Sequence, residues 1–279
     1  MDYETSDGSQ VSLREIFEDR NGRPVFKAAS ISAFVDGKAF AGKAEHRIKE
    51  LDDVSIVDYL KPVPTENIHP LFPPKFTVAP SFDLAEHYLK APAFTYEDCQ
   101  PGRTFVADCL LNEATALEKL SKHPHPNIVE YFGCIVKDGR ITQLCLKRYF
   151  CSLADYAEHR VPDSQREKIF HDVSSAAKHL HSLGLAHNDI SPENVCIDSQ
   201  GNAAIIDFDS CLPVGQRLMK GTAVDGLPLL SDPNNDIERL GKLRDFLADL
   251  KYDEDDVTSG PVDGASEDSL LQHNISQTY

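Results

Sequence analysis

Between Ser164 and Leu183 apolar residues recur at helical spacing, at Ile169, Val173, Ala176, Ala177, Leu180 and Leu183, and predict an amphipathic helix. Ser164 with Glu167 three residues later is a capping-box signature for its start. Gly184 suits the residue just past its end, where a left-handed backbone closes the last turn. The pattern then shortens. Val195-Cys196-Ile197-Asp198 is a brief apolar run, Ser199-Gln200-Gly201-Asn202 is a turn, and Ala203 to Ile206 is a second run, which together predict a hairpin. Upstream, Leu110 to Leu120 reads as helix. Glu130 to Val136 and Ile141 to Leu146 read as strands around the turn Lys137-Asp138-Gly139-Arg140.

The ends of the chain are patterned differently. Residues 1–60 hold short β-like runs such as Val25 to Val35 and a charged helical patch around Ala44 to Leu51, an N-terminal extension with no role assigned by the sequence. Residues 61–80 contain Pro62, Pro64, Pro70, Pro73, Pro74 and Pro80 and read as an extended linker or the beginning of the next unit. From Lys251 to Tyr279 the chain is acidic and poor in apolar residues, so residues 251–279 read as a disordered tail. The main folded unit is expected over residues 81–250.

Candidate chemistry is concentrated in two places. The stretch His187-Asn188-Asp189-Ile190-Ser191-Pro192-Glu193-Asn194 precedes Asp207-Phe208-Asp209, with Asp207 thirteen residues after Asn194. Asp189 can accept a proton from an attacking hydroxyl. Asn194 and Asp207 offer the hard oxygens that Mg²⁺ prefers. Taken singly such residues commonly cap turns. As a spaced triple behind a predicted helix they suit phosphoryl transfer, which is mostly positioning and charge neutralisation.

These residues resemble the protein kinase family, whose catalytic loop is His-Arg-Asp-Leu with Asn five residues past the Asp, followed downstream by Asp-Phe-Gly. The chain is most similar to compact, divergent kinase-like proteins of fungi. The resemblance runs from about Ser81 to about Leu250. Tyr88-Leu89-Lys90 resembles the strand carrying the ATP-phosphate lysine, Glu113 its ion-pair partner, and His125-Pro126-Asn127-Ile128-Val129 the turn after that helix. Gly221-Thr222 resembles the middle of an activation segment, and Asp236 with Leu240-Gly241 the start of a large C-lobe helix.

The resemblance implies an α+β, two-lobed protein kinase-like fold with a β-rich N-lobe and a shortened, mainly helical C-lobe. It implies ATP and Mg²⁺ as cofactors and a Ser/Thr hydroxyl as acceptor. Asp189 and Asn194 would be catalytic, and Asn194 and Asp207 would hold the metal. Lys90 and Glu113 would engage the nucleotide phosphates, and the hinge Leu146, Lys147 and Arg148 would offer backbone groups to adenine. Glu118 is the rival to Glu113. Glu113 is preferred because Leu117, one turn on, can then stack towards His187 and Phe208. His187 reads as a structural histidine.

The departures from the family pattern are specific. No Gly-x-Gly-x-x-Gly occurs, and Phe76 to Phe82 lacks glycine altogether. Asn188 replaces the catalytic-loop arginine that would pair with an activation-loop phosphate. Ser191 stands where many serine/threonine kinases carry lysine, and Asp209 replaces the glycine of Asp-Phe-Gly. These features keep open a pseudokinase scaffold that binds nucleotide without transfer, and a small-molecule kinase that tolerates Asp209.

Composition bounds the remaining choices. At 279 residues and 41% hydrophobic content the chain can form a sizeable core, as one two-lobed domain or two small ones. A formal charge of −17 argues against nucleic acid as a main partner and favours a basic protein or peptide. The cysteines number seven, none paired in Cys-x-x-Cys spacing, and read as reduced thiols of a cytoplasmic or nuclear protein. The histidines are not spaced with them as zinc ligands. The acidic, polar start does not read as a secretory signal, and no run of eighteen apolar residues predicts a membrane span.

Overall fold

The computed structural model describes residues 2–4, 10–51, 53–157, 161–219 and 229–250. Gly221-Thr222 and the tail from Lys251 to Tyr279 lie outside the described residues.

The chain opens with a five-stranded antiparallel sheet in simple order: β1 (Asp2–Glu4), β2 (Gln10–Arg20), β3 (Arg23–Val35), β4 (Lys38–Ala44) and β5 (Lys61–Pro62). Asn21-Gly22 joins β2 to β3 and Asp36-Gly37 joins β3 to β4. All four residues have positive φ, between 51° and 76°, the primed-turn geometry whose twist matches that of the flanking strands. In β3, Ala28 to Ala33 is buried without a break. The reason is that the sheet is covered on both faces. Leu13, Ile31 and Ala33 pack on Ile56 of the short helix α1 (Asp53–Tyr59). Ala39 and Ala41 pack on Ile68, Phe94 and Val106, which belong to the rest of the domain. The N-terminal extension is therefore docked through an apolar core.

Two local expectations differ from the structure. Ala44 to Leu51 was expected to be helical, but Ala44 ends β4 and only Ile48–Glu50 forms a 3₁₀ turn. Its charges are used across the sheet: the Arg47 guanidinium and the Ile48 amide both donate to the Glu15 carboxylate. The Pro-rich stretch is ordered. It contains α2 (Thr65–Ile68) and then runs beside the next hairpin, bridging Leu71 to Arg140 and Val78 to Cys134. Gly133 makes this possible: a Cβ there would lie 2.6 Å from the Ala79 amide nitrogen.

The next sheet has three strands, β6 (His87–Lys90), β7 (Tyr131–Lys137) and β8 (Arg140–Lys147), in spatial order β6-β8-β7. The turn Asp138-Gly139 again has positive φ at both residues. Helix α3 (Phe105–Leu120) crosses this sheet and buries Leu110, Ala114 and Leu117 against it. A mainly helical lobe follows: β9 (Cys151–Ser152), α4 (Leu153–Tyr156), α5 (Asp163–Ser182), β10 (Leu185–Ala186), β11 (Val195–Ile197), β12 (Ala203–Ile205), β13 (Leu212–Pro213) and α6 (Pro233–Asp249). Helix α5 starts one residue before the predicted capping box. Pro162, with φ −58° and extended ψ, is the N-cap, so Ser164 lies inside the helix without capping it. At the other end Gly184 takes φ +70°, as expected. The result is an α+β, two-lobed kinase-like fold in which α6 is the last described helix.

Candidate active site

Three charged side chains from three elements meet between the lobes. Tyr88 and Lys90 alternate to the same face of β6, so both reach the cleft. The Lys90 ammonium donates to both Glu113 carboxylate oxygens, at 2.7 and 2.8 Å, and to Asp207 Oδ1 at 2.7 Å. Burial alone would pull the lysine pKa down, but the two carboxylates outweigh it and the net shift is upward. Glu113 is 2% exposed, and burial pushes its pKa up while Lys90 pulls it back. One Glu113 oxygen also accepts from the Phe208 amide at 3.0 Å. This acceptor-only pattern suits a carboxylate, and it ties α3 to the Asp207-Phe208 turn. The rival Glu118 faces elsewhere, accepting from the Thr77 amide at 2.6 Å and from the Tyr131 hydroxyl at 3.0 Å.

The second group is the loop after β10. Asn188 and Asp207 hold φ of +68° and +60°, a left-handed conformation that Asn and Asp tolerate best among non-glycine residues. The buried Asp236 carboxylate, at the start of α6, shapes the loop. It accepts from the His187 amide at 3.0 Å, the Asn188 amide at 2.7 Å and His181 Nε2 at 2.8 Å. His187 packs edge-on against the fully buried Phe208 ring and its Nε2 bonds the Ile206 carbonyl at 3.0 Å. Asn194 donates to the Asp189 carbonyl at 2.9 Å, which orients its amide oxygen; that oxygen takes no hydrogen bond among the described residues. Asp189 faces outward, 3.3 Å from the Arg239 guanidinium.

A cavity of about 470 Å³ joins these parts. Tyr88, Val129, Leu146, Cys196 and Ile206 give it apolar walls, while Lys90, Glu113, Asn194 and Asp207 converge at one end. Leu146, Lys147 and Arg148 line it as expected of a hinge, but two of their amides are committed. Lys147 N–H donates to Glu130 O and Arg148 N–H to Glu86 O, both at 2.9 Å. The next amide, on the cavity-lining Tyr149, has no partner among the described residues. A cavity with apolar walls, an open backbone donor and a cluster of charges has the make-up of a small-molecule site. Among the described residues no group of three or more His, Cys, Asp and Glu is arranged to hold a metal ion. Asn194 and Asp207 present oxygens to the cavity.

Comparison with known proteins agrees with this geometry. Residues 99–224 match the protein kinase domain model. A stretch of 128 residues, 45% of this chain, is 29% identical to the serine/threonine-protein kinase shk2 of Schizosaccharomyces pombe, covering 21% of that protein. The MAP kinase kinase kinase wis4 of the same yeast is 34% identical over 122 residues, 41% of this chain and 8% of wis4. Serine/threonine-protein kinase MST20 of Pyricularia oryzae is 26% identical over 127 residues, 45% of this chain and 14% of MST20. The matched stretch, residues 99–224, is protein kinase-like. The chain matches about a fifth or less of the length of these relatives.

Some parts of the kinase-like site were not legible beforehand. Asn112, one position before Glu113, donates to the carbonyls of Asp209 at 2.7 Å and Cys211 at 3.3 Å, so α3 grips the segment around Asp207-Phe208 twice. Arg239 reaches Asp189 from α6; its spacing of three from Asp236 was the available signal, because i and i+3 share a helix face. Asn188 is a hub. Its amide group donates to the Ala186 and Ser210 carbonyls and to Ser231 Oγ, and its oxygen accepts from Asp232 N and Asn235 Nδ2. Where the kinase pattern has an arginine awaiting a phosphate, this domain has a closed neutral network.

No helix among the described residues is long and apolar enough to cross a membrane. All seven cysteines are buried, and none is in a disulfide.

Proposed function

We propose that the domain is an ATP- and Mg²⁺-dependent phosphotransferase of protein kinase type, acting on Ser/Thr hydroxyls of a protein. The observation carrying this reading is the three-way contact of Lys90 with Glu113 and Asp207 at the polar end of an apolar cleft. Lys90 contacts the α- and β-phosphates and is held in place by Glu113. Asn194 and Asp207 supply the oxygens for Mg²⁺, which when bound neutralises phosphate charge. Tyr149 N–H is the open hinge donor for adenine. Asp189 orients the acceptor hydroxyl and takes its proton, and Arg239, 3.3 Å away, holds that carboxylate in place until an acceptor arrives.

A second reading, a nucleotide-binding pseudokinase scaffold, is favoured by that same Arg239, which occupies the candidate base at 3.3 Å. Two measurements decide. Mg-ATP at about 100 times its Kd raises stability by roughly 2.7 kcal/mol and hence raises Tm; no shift at millimolar Mg-ATP rejects the nucleotide site. Transfer of radiolabelled phosphate to a protein panel then separates the kinase from the scaffold, and a metabolite panel separates both from a small-molecule kinase. Asp207→Asn removes the Mg²⁺-dependent part of ATP binding and leaves binding in EDTA nearly intact. Equal loss in both conditions makes Asp207 structural.

A further inference from the structure

Resting on that nucleotide reading, we infer that Arg14, on the N-terminal sheet, is a phosphate-binding residue of the cleft and takes the place of the missing glycine-rich loop. Arg14 lines the same cavity as Lys90, Asn194 and Asp207 although it lies far from them in sequence.

The need for such a residue follows from what the cleft lacks. In kinases a glycine loop ahead of the lysine strand covers the phosphates. Here no glycine occurs between Gly42 and Gly102. Strand β6 is the edge of its sheet, so among the described residues no hairpin is added beside it. Ser191 also withholds the lysine that the catalytic loop of many kinases carries. A nucleoside triphosphate would thus meet a cleft short of donors at its polar end.

The other cations lining the cavity are already engaged. Lys90 is shared by two carboxylates. The Arg148 guanidinium donates to the Leu84 carbonyl at 2.8 Å, and Lys147 lies over the Tyr149 ring, both on the hinge side. Arg14 is exposed and has no hydrogen bond or ion pair among the described residues. Its cavity also contains Asp98, Glu193 and Asp209, so an unpaired guanidinium there offsets part of an acidic lining. Five N–H donors in a planar fork match phosphate oxygens bidentately.

The root of Arg14 is fixed. It pairs in register with Ser30, whose hydroxyl accepts from the Tyr96 amide at 2.8 Å. Tyr96 follows Thr95, which lines the cavity rim. The sheet is therefore pinned to the rim at the very pair that carries Arg14, and a site on such a strand is better ordered than one on a mobile loop. The ligand class is the polyphosphate of a nucleoside triphosphate.

The test is calorimetric titration of the full chain with ATP and with adenosine, each in EDTA and in Mg²⁺, for wild type, Arg14→Ala and Arg14→Lys. The expected result is a loss of about tenfold or more in ATP affinity for Arg14→Ala, the size of a lost hydrogen-bonded charge contact, with adenosine affinity unchanged. Arg14→Lys keeps the charge without the fork and falls between. Unchanged adenosine binding also certifies that the variant is folded. ATP affinity equal to wild type in Arg14→Ala overturns the inference, as does a parallel loss of ATP and adenosine, which makes Arg14 a structural residue. A wild-type protein that binds neither ligand overturns the nucleotide reading and this inference with it.

Discussion

The five-stranded sheet of β1 to β5 and the kinase-like domain it docks on are organised in opposite ways. In the sheet each strand pairs with a sequence neighbour, two-residue turns join β2 to β3 and β3 to β4, and β2 and β3 are the longest described strands. In the kinase-like domain the decisive contacts are distant: Lys90 meets a glutamate 23 residues away and an aspartate 117 residues away. The more regular region nevertheless gave away less of its role. The kinase motif restricts which residue stands at a position, so Asp189, Asn194 and Asp207 carry a readable spacing. A packed sheet face restricts only size and polarity, which many residues satisfy.

If the chemistry sits wholly in the distant contacts, Asp189→Ala gives the largest effect. Phosphate transfer should fall on the order of 10²–10⁴-fold while ATP affinity stays near wild type. Turnover untouched by this change assigns the activity to a contaminant. The converse experiment breaks the sheet. Ile31 is fully buried between β2, β4 and α1, and Ile31→Ala should cost roughly 2–5 kcal/mol. Because the sheet shares a core with Val106 of α3, a single lowered unfolding transition is expected. Two separated transitions in calorimetry would mean the regions are thermodynamically independent.

A smaller effect sharpens the contrast at the catalytic loop. Asn188→Ala leaves the Ser210 and Asp232 groups to find other partners and places a less tolerant residue at φ +68°, so a loss of about 1–3 kcal/mol is expected by denaturant unfolding. The same hub predicts activity that does not depend on activation-segment phosphorylation, checked by phosphatase treatment before assay. The smallest effect concerns the thiols. Burial pushes Cys99 and Cys211 to about 12 and Cys134 and Cys151 to about 11. At pH 8 almost none of these is thiolate, so the native protein should react with iodoacetamide far more slowly than the urea-unfolded chain. Rapid native labelling of any of the four would contradict its burial.

How much could be read from sequence follows the same contrast. The helices α5 and α3 were visible because each has one apolar face and a polar one, and the hairpin of β11 and β12 because two short apolar runs flank a turn. The role of β2 to β4 was hidden because the sheet is covered on both sides, so Ala28 to Ala33 shows neither a strict alternation nor a helical period. A local signal was present all the same: Asn21-Gly22 and Asp36-Gly37 are the dipeptides that primed turns favour. The Pro-rich stretch misled for a related reason. Proline suits an edge path beside β7 as well as a linker, and the sequence pattern does not separate them. Arg239 and Asn112 were not legible because their partners depend on how α6 and α3 are placed in space.

The Asp236 carboxylate has a consequence for biosynthesis. It bonds the His187 and Asn188 amides from 49 and 48 residues further along the chain. At roughly 5–20 residues per second on the ribosome, the loop of residues 187–194 waits several seconds for the group that anchors its backbone. Until α6 has emerged, the nascent chain can hold its hairpins and its first sheet but lacks the carboxylate that anchors the His187 and Asn188 amides. The cleft is thus completed last, and a chain stopped short of Asp236 would be left without a working loop.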